Sequence, residues 1–203
     1  EDAVSQNQAT VLLLDRSASM QRGDLWKQAI TAATQRLEKI ALTDRLAVAT
    51  LDRETKLLWS FDQDKTSAST RSAVLKPKLQ GTKPSWGSTD LGQALVQAVS
   101  LFSRAQGLSG MKKKIVLITD LQEGSKLEAL RSQVWPENIA LELFQVEAPN
   151  LDNLTLSLAA PSDAGAPARK DATATQRLRI TKTRDSQTSD YMLDTTPPTT
   201  GYL

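Results

Sequence analysis

Val11, Leu12, Leu13 and Leu14 run without alternation into Asp15, and Lys114-Ile115-Val116-Leu117-Ile118-Thr119 runs in the same way into Asp120. A short, unbroken apolar run reads as a strand buried on both faces, and a sheet with both faces covered is a parallel sheet flanked by helices. Both strands end on an acid. In extended backbone residues i, i+2 and i+4 point the same way. Asp15, Ser17 and Ser19 therefore share one direction just past the first strand.

The segments between the two strands fit this class. Trp26, Ile30, Ala33, Leu37 and Ile40 recur at helical spacing behind Asp24, a candidate cap. Residues 46–51 and 56–61 read as strands joined by Asp52-Arg53-Glu54, a link short enough to require an antiparallel hairpin. Residues 62–83 are polar, with a short helix expected over 69–79 that Pro77 restricts. After the turn-rich Pro84-Ser85-Trp86-Gly87-Ser88-Thr89-Asp90, the positions Leu91, Ala94, Leu95, Ala98, Val99 and Phe102 make a second helical stripe. Ser125 with Glu128 has the spacing of a capping box, and Leu127, Leu130 and Val134 follow it at helical intervals. Residues 139–146 form the last strand of the set. The order β-α-β-β-(α)-α-β-α-β predicts an α/β doubly wound, mostly parallel sheet of order 3-2-1-4-5, with residues 56–61 antiparallel at one edge. In such sheets ligands bind past the carboxyl ends of strands at the switch point, where Asp15 and Asp120 would stand side by side.

Composition narrows the chemistry. The 203 residues contain neither Cys nor His. That excludes disulfides, Cys/His zinc sites and His-dependent triads. Net charge is +2 and Lys112-Lys113-Lys114 is the only basic cluster, so no nucleic-acid partner is inferred. No apolar run approaches the roughly 18–20 residues of a membrane span. The opening Glu1-Asp2 carries no leader pattern and suits a processed or excised chain, whose flanking anchors would lie elsewhere.

Three loops supply oxygen donors in order: Asp15, Ser17 and Ser19, then Thr89, then Asp120. One carboxylate pair and three hydroxyls are hard ligands that suit Mg²⁺, Mn²⁺ or Ca²⁺. Helix caps and loop hydroxyls would use the same residue types, and the two readings differ in whether the loops meet.

The sequences DRSAS, GSTDLGQAL and ITDLQEG resemble the metal-ion-dependent adhesion site of von Willebrand factor A domains, and the resemblance covers about residues 8–148. It implies that Ser17, Ser19 and Thr89 touch the metal, that Asp15 and Asp120 hold waters or complete the charge, and that a partner's carboxylate takes the remaining position. Leu121 departs from the pattern, which has Gly there. DRSASM and ITDLQEGS, with an early end at Val146, look like bacterial aerotolerance-type (BatA-like) proteins, in which membrane spans flank the domain. That likeness implies a membrane-anchored, extracytoplasmic setting and a shortened sheet.

The function expected is capture of an acidic residue on a protein partner, with Trp86 and Arg16 as partner-binding residues. A structural domain with a degenerate metal site is the alternative. A Mg²⁺-dependent hydrolase is disfavoured, because Ser17 stands where a second acid would be needed, and no enzyme is expected. Residues 149–203 read as a linker and the start of a β-sandwich: a strand at 154–158, a loop at 161–175, a hairpin of 177–183 with 191–194, and a tail from 195.

Overall fold

The computed structural model describes residues 7–122, 124–131 and 133–147, with Thr66 by its backbone alone, and the backbone of 154–158 and 178–182. The chain divides into two units, Glu1–Ala148 and Pro149–Leu203.

The first unit is a five-stranded sheet of order β3-β2-β1-β4-β5. Its strands are β1 (Gln8–Asp15), β2 (Arg45–Leu51), β3 (Thr55–Trp59), β4 (Lys112–Thr119) and β5 (Ile139–Gln145). All neighbours are parallel except the β2–β3 hairpin, as the short polar link requires. β1 lies beside β4 with Leu14 opposite Ile118, so Asp15 and Asp120 leave the sheet at the same end.

The helices are α1 (Leu25–Lys39), α2 (Phe61–Ser67), α3 (Arg71–Gly81), α4 (Leu91–Arg104) and the single turn α5 (Glu128–Arg131). Period-two alternation in β1 divides the core. Val11 and Leu13 pack with Leu91, Leu95, Ala98 and Phe102 of α4. Leu12 and Leu14 pack with Leu25, Ala29, Ala33 and Leu37 of α1 and with Leu75 and Leu79 of α3. Truncating Leu13 or Leu14 to Ala would cost about 2–5 kcal/mol.

Local chemistry explains where the elements start. Asp90 caps α4 through Oδ1 and the Gln93 N–H at 2.9 Å. Ser60 and Gln63 form a reciprocal capping box that opens α2 at Phe61. That box corrects the expected strand over 56–61, which stops at Trp59, and most of residues 62–83 proves helical. The α1 face is also set differently from expectation. Leu25, Ala29 and Ala32 are fully inside, whereas Trp26 and Ile30 are half-buried at its edge. The expected helix after Ser125 shrinks to α5. Lys126 is held extended, its N–H on Thr89 O at 3.0 Å and its carbonyl accepting the Gly92 N–H at 2.9 Å. The Ser125 hydroxyl bonds Gln122 O instead of capping, and Val134 is 94% exposed. Gly92 permits this approach, since a Cβ there would meet the Leu127 backbone at 3.0 Å.

In the second unit Leu154–Leu158 pairs antiparallel with Leu178–Lys182. The strand expected at 177–183 thus pairs with 154–158 on one edge. The expected loop at 161–175, the strand at 191–194 and the tail lie outside the described residues.

Candidate functional site

Backbone hydrogen bonds stitch three loops together at the carboxyl ends of β1 and β4. The loop after β1 receives the Ser85 N–H on Arg16 O at 2.6 Å and gives the Ala18 N–H to Gly87 O at 2.9 Å. The 84–90 loop is tied in turn to the loop after β4 through Thr89 O and Lys126, and to the β2–β3 turn through the Asp90 N–H and Asp52 O at 2.9 Å.

On this frame the donors meet. Asp15 is fully buried; its Oδ1 accepts the Ser17 N–H at 2.8 Å and its Oδ2 accepts the Thr119 hydroxyl at 2.7 Å. The hydroxyls of Ser17 and Ser19 lie 3.1 Å apart, and Ser19 Oγ donates to Asp120 Oδ1 at 3.1 Å. Side-chain and backbone bonds thus join Asp15, Ser17, Ser19 and Asp120 into one chain. Thr89 is buried in the middle loop and is linked to the others through the backbone of Gly87 and Lys126. Capping does not account for Thr89, because Asp90 caps α4. Nor does Asp120 close the turn after β4, because Thr119 Oγ1 accepts the Leu121 N–H at 3.1 Å.

Burial pushes the Asp15 carboxyl above its ordinary range. The bonds from Thr119 and Ser17 pull it down without cancelling that effect, and the charge of Asp120 adds to the rise. The pair of acids calls for positive charge, and Arg22 supplies some: Nη2 lies 2.8 Å from Asp120 Oδ2, and Nε donates to Ser19 O at 3.2 Å.

Arg16 does not face the donors. The alternation that turns Asp15 and Ser17 one way turns Arg16 the other, and its Nε lies 3.4 Å from Asp52 Oδ2. Trp86 is 84% exposed, away from the core. Leu121 adopts φ +49°, the left-handed conformation that glycine takes without cost. A leucine thus stands in a left-handed position where the resembled pattern has Gly.

Among the described residues no group of three or more His, Cys, Asp or Glu side chains could hold a metal. The bonded donors here are two carboxylates and two serine hydroxyls, with Thr89 buried in the adjoining loop, a weaker, all-oxygen set that fits a hard cation. Arg22 beside Asp120 shows that the cluster accepts a cationic group.

A doubly wound α/β sheet with its polar cluster at the switch point between β1 and β4 defines the class. The profile of the von Willebrand factor type A domain matches residues 10–124, more than half of the chain, and the chain belongs to that family. Similar solved structures include BatB from Bacteroides thetaiotaomicron, 18% identical, covering 87% of this chain and 80% of that one with a TM-score of 0.52. An aerotolerance-related membrane protein from Bacteroides fragilis is 19% identical over 85% and 81%, with a TM-score of 0.53. Proximal thread matrix protein 1 from the mussel byssus, solved with a zinc-occupied MIDAS motif, is 13% identical over 68% and 37%, with a TM-score of 0.51. At these identities the likeness is one of fold. No curated protein matches the chain.

Proposed function

We propose that this domain is a cation-dependent protein-binding module. Ser17, Ser19 and Thr89 would give oxygens directly to a Mg²⁺-type ion, with Mn²⁺ or Ca²⁺ as substitutes. Asp15 and Asp120 would act through water or charge, and an acidic side chain of a protein partner would complete the coordination. The observation that carries this reading is the convergence of Asp15, Ser17, Ser19 and Asp120 from the ends of two adjacent strands. Asp15, with both oxygens engaged inside the protein, suits an indirect role.

Such an ion orients a partner but covers little area, and a stable interface needs roughly 800 Å² per side. Exposed Trp86 would supply an aromatic anchor. Arg16, beside it on the same edge, would add positive charge after loosening from Asp52. Trp86→Ala should weaken partner binding by about 1–3 kcal/mol and leave cation affinity unchanged, as read by a binding assay with and without chelator.

The structural similarity to a membrane protein supports a membrane-associated setting with the anchor outside this domain. Among the described residues no helix is long and apolar enough to cross a membrane. A non-enzymatic role suits the site, because Asp15 is sealed from any substrate and Ser17 stands where a phosphoryl-transfer enzyme would carry a second acid.

One observation favours a second reading, a structural domain whose metal site has lapsed: Arg22 already neutralises Asp120. Titration calorimetry separates the two. Mn²⁺ should bind at one site with affinity on the order of millimolar, because few protein oxygens bind it directly. Ser19→Ala should weaken it. Heat-silent titration at high Mn²⁺ would favour the structural reading.

A further inference from the structure

We propose that Arg22 is a tethered counter-ion of this site: a divalent cation enters by exchange with the Arg22 guanidinium, and without the cation Arg22 holds the site shut. The proposal rests on the cation-dependent reading above.

The side chain spans two of the three donor loops, with Nη2 at 2.8 Å from Asp120 Oδ2 and Nε at 3.2 Å from Ser19 O. The Asp120 side chain is only 3% exposed, and its other oxygen takes a neutral hydroxyl from Ser19. Among the described residues Arg22 is therefore the charged group that compensates this carboxylate. A guanidinium and a divalent ion cannot share that position, since like charges repel strongly where water is scarce. One of them must leave.

Arg22 is built so that it can leave. Its side chain is 27% exposed and lies on the rim rather than in the core. Its backbone N–H closes the 3₁₀ turn Ala18–Gln21 on Ser19 O, and Gly23 follows at φ +49° with open space around it. The anchor of the side chain is thus fixed by the turn, while among the described residues the guanidinium is held by two contacts, to Asp120 and Ser19. Arg16, on the same loop, does not duplicate it, because it pairs with Asp52 on the far side.

The test is Mn²⁺ binding to the full chain, followed by loss of the free-ion EPR signal, in the wild type and in Arg22→Gln, Arg22→Lys and Arg16→Gln. Arg22→Gln should bind Mn²⁺ about tenfold more tightly, the factor expected when one charge-assisted contact no longer competes. Arg22→Lys keeps the charge and should stay near the wild type, as should Arg16→Gln. Without metal, Arg22→Gln should melt below the wild type, and saturating Mn²⁺ should raise its Tm by more. A wild type that binds nothing beside an Arg22→Gln that binds would show that Arg22 closes the site without yielding it, and the exchange is wrong. If the wild type binds and Arg22→Gln binds no more tightly, the exchange is wrong and the cation reading stands. If Arg16→Gln tightens binding equally, net charge is the cause and the exchange is wrong. If none of the four proteins binds Mn²⁺, both the exchange and the cation reading fall.

Discussion

Asp64 and Asp120 are both buried aspartates gripped by an arginine, yet their surroundings differ. Asp64 accepts Arg71 on both oxygens, the Trp59 indole N–H at 3.0 Å and the Leu46 N–H at 3.0 Å. Arg71 also donates to the carbonyls of Ala41 and Asp44, so the pair ties β2, α2, α3 and the turn after α1 into one unit. Around Asp120, among the described residues, there is one arginine contact and one serine hydroxyl, and Asp15 is close enough for the two charges to interact. A carboxylate whose lone pairs are filled from four directions is finished as structure. One held by a single rim arginine keeps capacity for something else.

The largest expected effect lies at the finished pair. Arg71→Ala leaves Asp64 as an uncompensated buried charge and should cost about 3–5 kcal/mol in urea unfolding. A loss below about 1 kcal/mol would erase the contrast. Arg22→Ala should cost less, about 1–2 kcal/mol, and millimolar Mn²⁺ should restore part of it, whereas no cation should rescue Arg71→Ala.

Leu121→Gly sharpens the comparison from the backbone side. Leucine in the left-handed region is strained by roughly 1–2 kcal/mol, and glycine gives some of that back through unfolded-state entropy. A net gain of about 0.5–1 kcal/mol is expected from thermal unfolding.

The smallest effect is at the surface pair. Burial would raise the Glu142 carboxyl, but hydrogen bonds from Arg36 and Lys114 outweigh it and hold the group below its ordinary range. A depressed carboxyl contributes stability above its ordinary value near 4.5, and loses it as pH falls through the lowered one. Because Glu142 is well exposed, Glu142→Gln should cost under about 1 kcal/mol at neutral pH. The difference should shrink in salt and vanish in acid.

Much of this was legible in the residues. Unbroken apolar runs marked β1 and β4 as central, right-handed crossovers set them side by side, and the acids at their ends marked the switch point. The stripe of α4 was equally plain. The Asp64–Arg71 pair was not, because residues 62–83 look merely polar until Ser60 and Gln63 are read as a capping box. Helical spacing overstated α5, because the backbone bonds of Lys126 to Thr89 and Gly92 are long-range and leave no mark in local sequence. Period-two alternation could have placed Arg16 away from the site. That Arg22 reaches Asp120 depends on the 3₁₀ turn at Ala18–Gln21, which no periodicity announces.

The central claim is that the cluster between β1 and β4 is a cation site, and paramagnetic broadening of backbone amide NMR signals by Mn²⁺ tests it most directly. The account predicts that broadening begins at Ser17, Ser19, Thr89, Asp120 and Leu121, and that excess Mg²⁺ reverses it. Broadening that begins at exposed acids elsewhere, such as Glu128 or Glu142, or at no site at all, would contradict it.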